Sequence, residues 1–93
     1  MRIISNKALL HFSSIHPSAH TSLQKWRRRM ESIQFVNFAD IKRVFHTTDK
    51  VGSYYVFNVG GNKYRIIAEI NFPHQMLYVQ HIFTHQEYNK WKP

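Results

Sequence analysis

Ninety-three residues, 43% of them hydrophobic and 15% aromatic, suffice for one small globular core and exclude a disordered chain. Thirteen lysines and arginines against five acids give a formal net charge of +8, which points to a polyanionic partner, nucleic acid first and anionic membrane second. The absence of cysteine excludes disulfides, thiolate chemistry and cysteine-ligated zinc. No apolar run approaches the roughly 20 residues of a membrane span. Lys7, His11 and several serines interrupt the first fifteen residues, so no signal peptide is expected. The expectation is a single cytoplasmic domain over residues 1–93.

In chain order, Arg2-Ile3-Ile4 reads as a short strand, and Ser5 stands where a helix N-cap belongs. Ala8, Leu9, Phe12 and Ile15 recur at helical spacing until His16-Pro17 ends the helix. A second helix begins near Ser18 and carries Leu23, Trp26, Met30 and Ile33 as one apolar stripe. Lys25, Arg27, Arg28 and Arg29 crowd its remaining surface, either as a solvated face or as a sequence-independent attraction for phosphates. Asn37 to Phe45 forms a helical turn, with Asn37 as cap and Asp40 at its third position. Ile41, Val44 and Phe45 then face the core, and Lys42 and Arg43 face away. His46 to Gly52 is polar and reads as a loop.

Tyr54 to Ile70 is a β-hairpin around Gly60-Gly61-Asn62. Its second arm places Tyr64, Ile66, Ala68, Ile70 and Phe72 on one face, and Lys63, Arg65, Glu69 and Asn71 on the other. Arg65 therefore stands opposite the core, where a lone arginine is ordinarily solvated. Pro73-His74-Gln75 breaks the arm, and Met76 to Phe83 is a further strand with Leu77, Val79, His81 and Phe83 on one side. Thr84-His85-Gln86-Glu87 matches a capping box that opens a last short helix carrying Tyr88, Lys90 and Trp91. Helices grouped before an antiparallel meander give an α+β domain, with helices on one sheet face and the other face open.

The chemistry-bearing residues narrow the options. His16 and His20 are four apart, as are His81 and His85, but Pro17 interrupts the first pair and the second straddles a strand–helix junction. Neither has the metal-ligand pattern of a zinc helix, and no metal or other cofactor is expected. The glycines lie in a hairpin and not in a phosphate-binding loop before a helix. What remains is Arg65, His85, Tyr88 and Lys90, with Asn58, Asn62, Arg43 and His81 as neighbours. Such a set suits RNA self-cleavage, in which the 2′-hydroxyl attacks the adjacent phosphorus. Histidine and tyrosine handle protons, and arginine and lysine stabilise the anionic transition state. The bland alternative makes Tyr88 and Trp91 core anchors and leaves His85 solvated.

Tyr55 to Asn62 (YVFNVGGN) followed by Tyr64 to Ala68 (YRIIA) resembles the central motif of the HigB family of type II toxin–antitoxin toxins. Ile82 to Tyr88 (IFTHQEY) resembles the family's carboxy-terminal THxEY signature. The resemblance implies a RelE-like fold and an mRNA interferase, an endoribonuclease that cuts mRNA on the translating ribosome. It also implies silencing by a cognate helix-turn-helix antitoxin of the HigA type, with a heterotetramer as one assembly. It marks Arg65, His85 and Tyr88 as catalytic, with Arg65 on the scissile phosphate and the other two sharing acid–base work. Asn58, Asn62, Lys63 and Lys90 lie around them, and Arg27, Arg28, Arg29, Lys42 and Arg43 are expected on RNA phosphates. Two rival readings stay open. One is a non-catalytic basic nucleic-acid-binding module; the other is a structural partner within a repressor complex.

Overall fold

Two periodicities build the molecule: alternation in the strands and a 3.6-residue stripe in the helices. A computed structural model describes residues 1–93. Five strands, β1 (Arg2–Ile4), β2 (Asp49–Val51), β3 (Tyr54–Val59), β4 (Tyr64–Asn71) and β5 (Met76–Thr84), form one sheet in the order β1-β5-β4-β3-β2. β1 runs parallel to β5, and every other pairing is antiparallel. Helices α1 (Asn6–Ile15), α2 (His20–Ser32) and α3 (Phe38–Val44) precede the meander, with a 3-10 turn at Pro17–Ala19, and α4 (His85–Lys90) closes the chain. The architecture is α+β and consistent with a RelE-like fold. No helix is long and apolar enough to cross a membrane.

The apolar stripe of α2 is in place: Leu23, Trp26 and Met30 are buried, and Ile33 packs against them. They meet Leu9 and Phe12 of α1, Ile41 of α3, and the inward row Tyr55, Phe57, Val59, Tyr64, Ile66, Ala68 and Leu77 of the sheet. Trp26 and Phe57 contact edge to face, with ring centroids 5.3 Å apart. α3 is capped as its sequence indicates, with Asn37 Oδ1 accepting from the Asp40 amide at 3.0 Å. Ser5 occupies the N-cap position of α1, but its side chain makes no cap bond.

Four expectations are corrected. Asp49–Val51, read as loop, is an edge strand beside β3; its polar, exposed residues carry no alternation to betray it. β1 adds parallel pairing to a sheet expected to be antiparallel, because nothing local in three residues encodes a distant partner. β5 does not keep one face throughout. Ile67 pairs with His81 and Ala68 with Val79, so Gln80 is an extra residue on β5. The bulge leaves Leu77 and Val79 on the core side and turns His81 and Phe83 to the opposite side. Last, that opposite face is not open. α4 returns across it, and Trp91 lies against Tyr54, Phe83 and His81 at centroid distances of 5.5, 6.0 and 5.9 Å.

Candidate active site

Arg65 sits near the start of β4, directly opposite Asn58 on β3 and Phe83 on β5. It is on the face away from the main core, as the alternation requires. It is not solvated, however: only 6% of it is exposed, because α4 covers this end of the face. The hairpin turn reaches it first. Gly60, Gly61 and Asn62 all take positive φ, at 66°, 60° and 75°. A side chain at Gly60 would also bring its Cβ to 3.0 Å from Tyr64 Cδ2, so glycine is needed there on two counts. This turn aims the Asn62 carbonyl at Arg65, whose Nη1 donates to it at 2.9 Å and to the Tyr64 carbonyl at 3.2 Å. The intervening Lys63 carbonyl accepts the His85 amide at 2.9 Å, which ties α4 to the turn.

The capping box fixes α4 itself. Thr84 Oγ1 accepts the Glu87 amide at 3.2 Å, and Glu87 Oε1 accepts the Thr84 amide at 2.8 Å. His85 and Tyr88, three residues apart, then share one side of the helix. His85 Nδ1 lies 3.0 Å from Arg65 Nη2, and the guanidinium carbon is 5.5 Å from the Tyr88 ring centroid. A guanidinium only donates. His85 Nδ1 is therefore the acceptor, and in this arrangement the imidazole is neutral with its proton on Nε2. His85 is exposed, so a buried cation lies directly beneath an accessible imidazole.

The electrostatics of Arg65 are unusual for a buried cation. The side-chain ion pairs of the molecule are Arg27–Glu31 at 3.1 Å and Arg43–Asp40 at 2.6 Å. Arg65 has no carboxylate; it is held by two carbonyls, an imidazole nitrogen and an aromatic face. A buried charge without a counter-ion is costly, and an arriving anion would relieve that cost. The planar guanidinium matches the two free oxygens of a phosphodiester.

The remaining candidate residues divide by position. Asn58 faces the same side as Arg65 and donates to the Thr47 carbonyl at 3.3 Å. Asn62 contributes its carbonyl; Lys63 and Lys90 are exposed at the turn and on α4. The arginine run lies on α2, across the sheet from Arg65. Arg27 is tied to Glu31 and Gln24, Arg28 is exposed, and Arg29 leans on the Phe45 ring at 5.9 Å. On α3, Lys42 donates to the His46 carbonyl at 2.8 Å, and Arg43 pairs with Asp40. The fold thus gathers Arg65, His85, Tyr88, Asn58 and Asn62, and leaves the arginine run, Lys42 and Arg43 on the helical layer. His16 stacks on Phe12, and His81 stacks on Phe83.

Some contributors left no trace in the sequence. The carbonyls of Asn62, Lys63 and Tyr64 are backbone groups. Phe83 and Trp91 form the platform beside the cluster only because the β5 bulge turns Phe83 outward.

A family described as HigB toxin, the RelE-like toxic component of a toxin–antitoxin system, matches residues 19–91. The mRNA interferase toxin HigB of Escherichia coli (strain K12) is 33% identical over 92 residues, covering 96% of this chain and 88% of that protein. The mRNA interferase HigB of Shigella flexneri gives the same figures. That of Escherichia coli O6:H1 is 31% identical over 93 residues, covering 97% and 90%. With the family match spanning most of the chain and relatives aligned along nearly all of it, the chain belongs to the HigB family of RelE-like toxins.

Proposed function

We infer that this chain is a metal-independent endoribonuclease that cleaves mRNA on the translating ribosome. It acts in the cytoplasm and is silenced by a helix-turn-helix antitoxin of the HigA type. The observation that carries the cleavage reading is the buried Arg65, which has no carboxylate partner and contacts His85 and faces Tyr88. The family and the relatives named as mRNA interferases support the class of substrate.

In this reading Arg65 receives the two free oxygens of the scissile phosphate. The 2′-oxygen forms a bond to phosphorus and the bond to the 5′-oxygen breaks, leaving a 2′,3′-cyclic phosphate and a 5′-hydroxyl. As charge builds on the phosphorane, the Arg65 N–H groups strengthen toward it. Arg65 then turns from His85 to the phosphate, and His85 Nδ1 is released for proton transfer. His85 and Tyr88 divide the proton work, one receiving the 2′-hydroxyl proton and the other protonating the 5′-oxygen. Asn58 and Lys63 flank the strand, and Arg27, Arg28, Arg29, Lys42, Arg43 and Lys90 supply the sequence-independent attraction for mRNA or ribosomal RNA.

Inducing the chain alone in a bacterial host and mapping new mRNA 5′ ends tests the reading. Growth arrest with cuts inside translated codons, both absent from Arg65→Ala and His85→Ala, is the expected result. Normal growth and no new ends, from protein shown to be folded and abundant, would overturn it in favour of a non-catalytic binding module.

A further inference from the structure

Beyond Arg65 the non-core face continues as an aromatic surface that the cleavage chemistry leaves unused. Its floor is apolar. Val56 and Ile67 are directly opposed on β3 and β4, and both are buried, although they stand outside the main core. Beside them on β5, Phe83 is opposed to Arg65 and His81 to Ile67. The bulge at Gln80 is what turns both β5 rings to this face. The two rings stack, with centroids 5.1 Å apart and planes 11° from parallel. Trp91 leans against the stack, 5.9 Å from His81 and 6.0 Å from Phe83. Trp91 is also 6.0 Å from Tyr88, whose ring lies 5.5 Å from the Arg65 guanidinium carbon. An unbroken run of ring contacts therefore joins Arg65 to His81. His81 ends the stack and is exposed. The histidine side chains that hydrogen-bond within the protein are His46, His74 and His85, so neither His81 nitrogen is spent on the fold. An exposed planar ring, backed by further rings and set beside a phosphate-binding arginine on a strongly basic chain, is a stacking platform for a nucleobase.

We propose that the His81–Phe83 stack, backed by Trp91, seats a base of the RNA strand whose phosphate Arg65 holds. The proposal rests on the RNA-cleaving reading and deepens it, because that reading places phosphates and protons but no base. Arg65 and His81 are diagonal neighbours across β4 and β5, which sets them about 7–8 Å apart. A single nucleotide spans that distance between its phosphate and its base. Stacking needs only a π-face, so the seat accepts any base and fixes the position of the strand. With the phosphate on Arg65 and a neighbouring base on His81, the nucleotide is held at two points, and the reacting oxygens are left between His85 and Tyr88.

The test is a titration of the whole protein with a fully 2′-O-methylated adenosine trinucleotide, which cannot be cleaved, and with the same probe lacking one base at each position in turn. The His81 ring signals, identified by their absence from His81→Ala, are followed by NMR. The expected result is a saturable shift of those signals that disappears when one particular base is missing. Removing that base weakens binding at least about fivefold in the parent and changes nothing in His81→Ala. His81→Phe keeps a π-face and should bind like the parent, and all three proteins should melt at the same temperature because the ring is exposed. Three results would overturn the seat: no shift of the His81 signals, an equal loss from base removal in the parent and His81→Ala, or His81→Phe binding as weakly as His81→Ala. An equal shift with the tripeptide Glu-Trp-Glu would also overturn it and make the platform a seat for a protein side chain. The readout needs no cleavage. A chain that cuts mRNA in cells without the shift fails the base seat alone, and one that shows the shift without cutting mRNA fails the cleavage reading alone.

Discussion

The Arg65–His85 contact joins structure to chemistry through a single proton. Because the arginine only donates, His85 in the free protein holds its proton on Nε2 and its lone pair on Nδ1. Nitrogen NMR of the folded chain should show that tautomer at His85, and Arg65→Ala should abolish the preference. His85→Gln keeps an oxygen for the Arg65 N–H but carries no transferable proton. It should fold like the parent and slow cleavage by roughly a hundred- to ten-thousandfold, measured as the rate of 5′-end formation on a defined message. Alternation along β4 assigns Arg65 to the non-core face, and that placement holds. Its burial was not legible, because the covering residues come from α4, twenty residues downstream, and its two backbone acceptors, the Asn62 and Tyr64 carbonyls, have no side-chain signature.

At the scale of elements, α4 has six residues and no buried one, so it cannot hold its position by core packing. Its capping box, the Lys63 carbonyl and the Trp91 contacts do that instead. Thr84→Ala removes the cap and should cost about 1 kcal/mol. In a domain of this size that is roughly 4–8 °C of melting temperature. Cleavage should fall with it, although Thr84 touches no substrate, because His85 and Tyr88 ride on the frayed helix. The capping box was readable from Thr84 and Glu87 at their spacing. The face presented by His81 and Phe83 was not, since the Gln80 bulge depends on pairing with β4 and not on any residue within β5.

β3 offers a separate test by pH. Tyr55 is buried in the core between Phe38 and Phe72, and this burial raises its phenol pKa above the ordinary value. Its contribution is complete below the unfolded value near 10 and is lost as pH climbs through the higher folded value. Denaturant unfolding from pH 8 to pH 11 should therefore show less alkaline loss of stability in Tyr55→Phe than in the parent. At neutral pH the phenol is uncharged in both states, so titration contributes nothing to the difference between the two there.

Over the whole molecule, the helices and the cluster divide the sheet between them. One face is filled by α1, α2 and α3 and supplies stability. The other carries, at one end, a buried cation with no carboxylate partner. Composition revealed the positive charge, and the apolar stripes and turn residues revealed the layers. The closing of the sheet by β1 and β2 was hidden, because two three-residue strands acquire their meaning only from their neighbours. At Arg65, an apolar side chain of similar length removes a buried charge that has no counter-ion and also leaves the Asn62 and Tyr64 carbonyls without their donor, so the two effects oppose each other and stability should stay within about 3 kcal/mol of the parent.

Arg65→Met therefore tests the central claim most directly, with melting temperature and mRNA 5′ ends measured on the same variant beside the parent chain. The account predicts a variant that still folds, with every new 5′ end gone and growth restored. Cuts that persist in a folded Arg65→Met protein would contradict it.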